Sequence, residues 1–317
     1  MYDVTAIGEL LIDFTCAASD GEGFPTLEAH PGGAPANFLA ALAAMGAKTA
    51  LIAAVGADAF GRMLTRAVSA AGVDTRAVRE TGSAFTTLAF VTLDEAGERE
   101  FSFARKPGAD TRLELTEADF ALIAASRCLH FGSLSLTDEP ARGSTRRAVE
   151  FARRRGVLTS FDPNLRPPLW DSLEAARREM LWGLAHADVV KLSAEEGEFI
   201  LGLGPEDAAL SVCRDFGAQL CFVTLGPDGC LWRRGDISGR ASAPAGVEIR
   251  DTTGAGDIFG GSALALVLKS GKPPAALAAA ELGDIARFAC AAATLSASRP
   301  GGISSVPAPT ETAALLT

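Results

Sequence analysis

The chain has 317 residues, 48 % of them hydrophobic, with a formal net charge of −10 and a pI of about 4.9. Such a composition supports one large or two modest domains with a sizeable core. The acidic balance repels nucleic acid and anionic membrane at long range and leaves room only for a local basic pocket around a phosphate.

No uninterrupted apolar run reaches the ~18 residues that would span a bilayer. Met1-Tyr2-Asp3-Val4 carries no basic leader region, so a soluble, unexported, cytoplasmic protein is expected. The six cysteines, Cys16, Cys128, Cys213, Cys221, Cys230 and Cys290, form no CxxC pair and read as small core hydrophobes in a reducing compartment. His30, His130 and His186 have no metal-site spacing and read as structural.

In chain order, strands are expected at residues 4–8, 49–55, 128–132, 157–161, 189–192 and 220–225. Helices are expected at 36–45, 59–71, 117–126, 140–155, 173–185, 194–201 and 207–216. Gly46, Gly72, Gly156, Gly202 and Gly217 stand as C-terminal stops. Strand alternating with helix predicts an α/β fold, a mostly parallel sheet covered by helices on both faces. Residues 84–93 and 98–104, joined by Asp94-Glu95-Ala96-Gly97, instead read as a hairpin where a crossover helix is due. With the excursion at 14–31, this hairpin (84–106 with its flank) predicts a small sheet outside the main one, a lid within a single domain of residues 1–317.

The strongest chemical signal is Asp251-Thr252-Thr253-Gly254-Ala255-Gly256-Asp257, preceded by a strand-like stretch at 247–250 and followed by an apolar run to Lys269. Small residues where a loop becomes a helix let backbone N–H groups approach an anion, and the helix N-terminus adds partial positive charge. Asp257 falls in the first helical turn, where its carboxylate is stabilised and can accept a proton from an alcohol placed beside the cradle. Phosphoryl transfer needs mainly positioning and charge stabilisation, so a base beside an anion hole at Gly254, Ala255 and Gly256 is a sufficient core.

This motif is similar to the C-terminal signature of the ribokinase/fructokinase-type (PfkB-type) carbohydrate kinases, and the resemblance extends over essentially the whole chain. It implies a ribokinase-like three-layer fold with a β-sheet lid, ATP and Mg2+ as cofactors, and transfer to a sugar hydroxyl. Gly8-Glu9-Leu10-Leu11-Ile12-Asp13 and Gly32-Gly33-Ala34-Pro35-Ala36-Asn37 resemble the family's sugar-binding segments, which implies that Asp13, Gly33 and Asn37 bind sugar hydroxyls. A carboxylate and an amide beside a glycine suit vicinal hydroxyls. Phe161-Asp162-Pro163-Asn164-Leu165-Arg166 looks like the DPNxR segment of fructokinase-like members. Lys191-Leu192-Ser193-Ala194-Glu195-Glu196 occupies the place of the NxxE motif, with Ser193 where ribokinases commonly carry Asn. By that resemblance Glu196 acts on magnesium through water, and Lys191 and Ser193 lie with the nucleotide. Thr224, Gly226 and Gly229, in Val223–Gly229, look like the strand-end turn at the nucleotide phosphates, a place where open α/β sheets bind ligands. The run 296–305 resembles the loop that, with Asp251 and Thr253, encloses a potassium ion. It implies backbone oxygens of Ser296, Arg299 and Gly301 and the Ser305 hydroxyl as ligands.

Within the family these motifs point to fructokinase, with 2-keto-3-deoxygluconate kinase as the alternative. Arg105 and Arg166 are the residues able to read a carboxylate, although arginine serves hydroxyls and phosphates as well. A second class, a sugar- or nucleotide-binding regulator without turnover, is disfavoured by the presence of Asp257, Gly254 and Gly256. A dinucleotide-binding enzyme is disfavoured because no GxGxxG follows the first strand. A lid with exposed apolar strands would favour a homodimer.

Overall fold

The computed structural model of the chain describes residues 1–19, 24–93 and 99–316. Its strands and helices run β1 (Tyr2–Ile7), β2 (Leu11–Ser19), β3 (Pro25–Gly32), α1 (Ala34–Ala44), β4 (Thr49–Gly56), α2 (Ala59–Ala70), β5 (Val73–Asp74), β6 (Val78–Thr81), β7 (Leu88–Leu93) and β8 (Arg99–Ala104). They continue with α3 (Glu117–Ala124), β9 (Ser126–Gly132), α4 (Ala141–Arg154), β10 (Leu158–Asp162), α5 (Leu173–Leu184), β11 (Val189–Ser193), α6 (Ala194–Leu201) and α7 (Pro205–Arg214). The last are β12 (Leu220–Thr224), β13 (Cys230–Arg234), β14 (Ile237–Ala241), α8 (Ala255–Lys269), α9 (Ala279–Ser296) and α10 (Pro309–Ala314).

The main sheet has the order β14-β13-β12-β11-β10-β9-β1-β4-β5, with β6 also paired to β4. From β12 to β5 every pairing is parallel, and β13 and β14 close the far edge as antiparallel strands. Strand side chains alternate between two cores, as a pleat with period two requires. Leu51, Ala53 and Val55 of β4 join one core with Leu39 of α1 and Leu264 of α8. Ile52 and Ala54 join the other with Ala148 of α4, Met180 of α5 and Ile200 of α6. The three-layer α/β architecture expected from sequence is therefore present. The five glycines placed as helix stops all have positive φ, from 70° to 87°.

A second sheet, β3-β2-β7-β8, stands apart from the first. Its two antiparallel hairpins are joined by a parallel pairing of β2 with β7, Ile12 opposite Leu88. The expected strand at 84–93 begins only at Leu88, because the backbone before it is held by side chains. Thr86 N–H donates to Asp58 Oδ2 at 2.8 Å, and Phe85 forms an isolated bridge with Gly108. The hairpin tip at 94–97 lies outside the described residues. The strand-like stretch at 247–250 joins no sheet: Arg250 and Asp251 instead donate their N–H groups to Ala297 O at 2.8 and 3.0 Å. None of the helices among the described residues is long and apolar enough to cross a membrane.

Candidate active site

The C-terminal ends of β10, β11 and β12, the first turns of α1 and α8, and the inner edge of the small sheet enclose a cleft of about 420 Å³. It is lined by Asp13, Gly33 and Asn37 on one side, Arg166, Lys191, Ser193, Glu196 and Thr224 on another, and Thr253, Gly254, Gly256 and Asp257 at its base. Residues spread from 13 to 257 in sequence thus meet where the strand ends point.

Asp257 is 8 % exposed and its Oδ2 accepts a hydrogen bond from Asn37 Nδ2 at 2.9 Å. Burial pushes its carboxyl up to about 6 despite the Asn37 hydrogen bond and the charges of Lys191 and Arg166. It stands ionised, with a basicity close to neutral pH, as a general base requires. Gly254, the cap of α8, has φ +75°, and a Cβ there would lie 2.9 Å from Gly302 Cα and 3.1 Å from Asn37 Nδ2. Only glycine fits that left-handed, closely packed position.

Of the three N–H groups expected to form an anion hole, one is otherwise engaged. Ala255 N–H donates to Thr252 O at 3.2 Å and is committed to the turn. The N–H groups of Gly254 and Gly256 have no such partner among the described residues, so they are the donors left to face the cleft. Lys191 joins them: a Cβ on Gly256 would sit 2.9 Å from its Nζ. Lys191 is held by Asp162, whose Oδ2 lies 3.0 Å from Nζ. Burial works against its ammonium, yet the carboxylates of Asp162, Glu196 and Asp257 hold it well above the usual lysine range. For Asp162 itself, burial pushes upward, with Lys191 opposing.

Ser193 and Glu196 form a capping box at the start of α6: Ser193 Oγ accepts from Glu196 N–H at 3.2 Å and Glu196 Oε2 accepts from Ser193 N–H at 2.8 Å. Glu196 Oε1 also accepts from Leu165 N–H at 2.9 Å, tying α6 to the segment that carries Arg166. The S-x-x-E spacing announces this cap in the sequence. Each Glu196 oxygen keeps a lone pair, so the carboxylate can still receive water from a hydrated cation.

Asp13 lines the cleft, and burial pushes its carboxyl up to about 7 against the charge of Arg166. Arg105 does not line it. Its guanidinium is buried and donates to Asp110 Oδ2 at 2.8 Å, Thr137 Oγ1 at 2.7 Å and Leu134 O at 2.9 Å, so its donors serve the protein and not a ligand. Gly226 and Gly229 are likewise absent from the cleft wall. Gly229 is explained by packing, since a Cβ there would fall 2.1 Å from Ala241 O in the β13–β14 hairpin.

The segments expected to enclose a monovalent cation do meet. Asp251 Oδ1 accepts from Thr253 N–H and Oδ2 from Gly301 N–H, both at 2.9 Å. Ser296 and Ser305 are fully buried beside them. Ser305 Oγ donates to Gly302 O at 2.8 Å, which leaves its lone pairs available. Ser296 O accepts from Arg299 N–H at 3.0 Å and, as a carbonyl, retains a second lone pair.

Sequence reasoning did not assign Glu9, Leu11, Phe103, Leu134 or Asn164, all of which line the cleft. The usable signal at Asn164 is its residue type, since asparagine tolerates better than most residues the left-handed conformation, φ 47°, that it adopts. His130, by contrast, is structural: it is fully enclosed and stacked on Phe38 at 3.6 Å, and burial pushes its imidazole down to about 3.

The family model described as pfkB family carbohydrate kinase matches residues 1–309. Fructokinase-1 of Oryza sativa subsp. japonica is 39 % identical over 317 residues, covering 99 % of this chain and 97 % of its own length. Among solved structures, the fructokinase of Xylella fastidiosa with bound ATP superposes with a TM-score of 0.89 at 31 % identity, over 100 % of this chain and 98 % of that one. A fructokinase double mutant of Vibrio cholerae O395 in its fructose, ADP and potassium ion bound form gives 0.87 at 30 % identity, over 100 % and 99 %.

Proposed function

The chain belongs to the pfkB family of carbohydrate kinases, and we propose that it is a fructokinase, transferring the γ-phosphoryl group of ATP to the 6-hydroxyl of D-fructose. The observation that carries this reading is the meeting of Asp257 and the first-turn N–H groups of α8 with Asp13, Gly33 and Asn37 in one cleft. Relatives named fructokinase at 39 % identity support fructose as the acceptor. With Arg105 committed to Asp110, Arg166 is the guanidinium of the two that the keto-acid alternative could use.

In this mechanism the sugar lies against Asp13, Gly33 and Asn37, with its primary hydroxyl beside Asp257. Asp257 accepts the hydroxyl proton as the oxygen attacks the γ-phosphorus and ADP departs. Charge growing on the phosphoryl oxygens is met by the N–H groups of Gly254 and Gly256 and by the Lys191 ammonium, which Asp162 aims. ATP lies across the strand ends near Ser193 and Thr224, with Gly226 at the turn beyond. Glu196 would hold hydrated Mg2+ through water, and the cation would neutralise phosphate charge. Potassium would sit between the 251–253 and 296–305 segments and order the anion hole. The small sheet, which brings Leu11, Asp13 and Phe103 to the cleft, acts as the lid. Phe24, just ahead of β3, and Phe85, ahead of β7, are exposed (69 % and 54 %) beside the small sheet and suit a homodimer formed through it. The six free thiols suit the reducing cytoplasm, and the net charge of −10 suits neither nucleic acid nor anionic membrane as a partner.

The test is ADP release with Mg-ATP, offering fructose, 2-keto-3-deoxygluconate, ribose and adenosine in parallel, with and without potassium. Preference for fructose is expected. Preference for the keto-acid would move recognition to Arg166, and no turnover with any sugar despite ATP binding would sink the kinase reading.

A further inference from the structure

Glu9 occupies the turn between β1 and β2, where the chain leaves the main sheet for the small one. It is 2 % exposed and lines the cleft beside Asp13, Gly33 and Asn37. Its two oxygens have different fates. Oε1 accepts the N–H of Ala34, the first residue of α1, at 3.0 Å, while Oε2 is buried and has no partner among the described residues. Burial pushes the carboxyl up to about 8, opposed first by the backbone N–H of Glu9 itself and further by the Ala34 N–H and Arg105, with Asp110 adding to the rise. At neutral pH the side chain is chiefly a neutral acid, so Oε2 carries a hydroxyl hydrogen with no acceptor. Buried polar groups are rarely left unmatched, because the lost hydration is not recovered.

Anchoring α1 requires only Oε1, so it does not explain Oε2. The same cleft wall holds a second orphan, Asn37 Oδ1, an acceptor on the residue whose Nδ2 is committed to Asp257. One unmatched donor and one unmatched acceptor complement a polyol, whose hydroxyls each accept and donate. We infer that Glu9 is a sugar-specificity residue whose Oε2 hydroxyl donates a hydrogen bond to one particular hydroxyl of the bound hexose. The inference rests on the carbohydrate kinase reading of the cleft. A site built to bond a hydroxyl rejects the analogue lacking it far more strongly than an apolar wall rejects an altered shape.

The experiment compares wild type, Glu9→Met and Glu9→Gln on fructose and on a set of fructoses each lacking one hydroxyl other than the 6-hydroxyl. Wild-type turnover of fructose is established first. Glu9→Met should raise the KM for fructose about ten-fold, the order of one hydrogen bond of this kind, with the KM for ATP unchanged. The penalty for one deoxy sugar should vanish in that variant while the others persist. Glu9→Gln keeps an oxygen for Ala34 and an N–H donor in place of the hydroxyl, and should hold the KM for fructose within about three-fold of wild type. An unchanged KM in Glu9→Met, or one raised equally for every analogue, overturns the inference while leaving the fructokinase reading intact. If Glu9→Met does not fold, Glu9→Gln decides by pH: the KM for fructose should rise above about pH 8 in wild type, as the Oε2 hydroxyl loses its proton, and stay level in Glu9→Gln, whereas the same profile in both overturns the inference. A wild type preferring another sugar defeats the fructose reading, and the comparison then uses that sugar's deoxy forms. A wild type that turns over no sugar defeats both.

Discussion

Replacing Asp257 with asparagine isolates proton acceptance from architecture. The amide has the shape of the carboxylate, and its oxygen can still accept from Asn37 Nδ2, so the 2.9 Å contact that ties α1 to α8 survives. The Asp162–Lys191 pair at 3.0 Å is untouched, and Lys191 keeps two of the three carboxylates that stabilise it. Only the base is removed. General-base assistance contributes roughly 10²–10⁴-fold, which corresponds to about 3–5 kcal/mol of barrier. Asp257→Asn should therefore lower kcat at pH 7.5 by that factor, with fructose affinity by calorimetry and the melting temperature near wild type. A kcat within about three-fold of wild type would refute the assignment of the base. A parallel loss of sugar binding would show that Asp257 acts in the ground state instead.

The pH profile follows from the same carboxyl. Because burial raises it to about 6 and the ionised form is the base, kcat/KM should fall as pH drops through about 6; a limb near pH 4 instead would contradict the burial effect. Gly254→Ala should lower the melting temperature and kcat together, since its φ of +75° costs about 1–2 kcal/mol before the 2.9 Å approach to Gly302 is counted; full turnover would place the anion hole elsewhere. Lys191→Met leaves Asp162 buried without its partner, and breaking such a pair costs about 3–5 kcal/mol. Denaturant unfolding should show that loss, and single-turnover kinetics a slowed transfer step. Stability of the unliganded protein should also decline between pH 5 and 8. Glu9 and Asp13 carry folded-state values of about 8 and 7, above the ordinary 4.5 and 3.8, so the native state binds more protons than the unfolded chain across that window. Melting temperatures that rise steadily from pH 6 to pH 8 would contradict this.

What the sequence disclosed and what it withheld divide by distance along the chain. That Asp257, the glycine turn at Gly254 and the start of α8 lie together was legible because all three fall within seven consecutive residues, where local geometry fixes their relation. The helix-stop glycines and the β7–β8 hairpin were legible for the same reason. Arg105 was misread because an arginine's role is set by where its donors end, and here they end on Asp110, Thr137 and Leu134, which are 5, 32 and 29 residues away. Gly229 was misread because its reason is Ala241, across an antiparallel hairpin that the run of parallel strands gave no cause to expect. Residues 247–250 alternate like a strand, but the N–H groups of Arg250 and of Asp251 after it go to Ala297 O just past α9, which fastens the loop before α8 to the 296–305 segment. Glu9 shows the limit most clearly. It lies in the 8–13 segment that resembles a sugar-binding motif, but that resemblance points to Asp13, and the role proposed for Glu9 lies in one unpartnered oxygen that only the packing of β1, β2 and α1 could bury beside Asn37. Local motifs thus place the residues proposed for phosphoryl transfer, whereas the residue proposed to select the sugar depends on contacts between segments, and it is there that substitutions should change specificity without abolishing transfer.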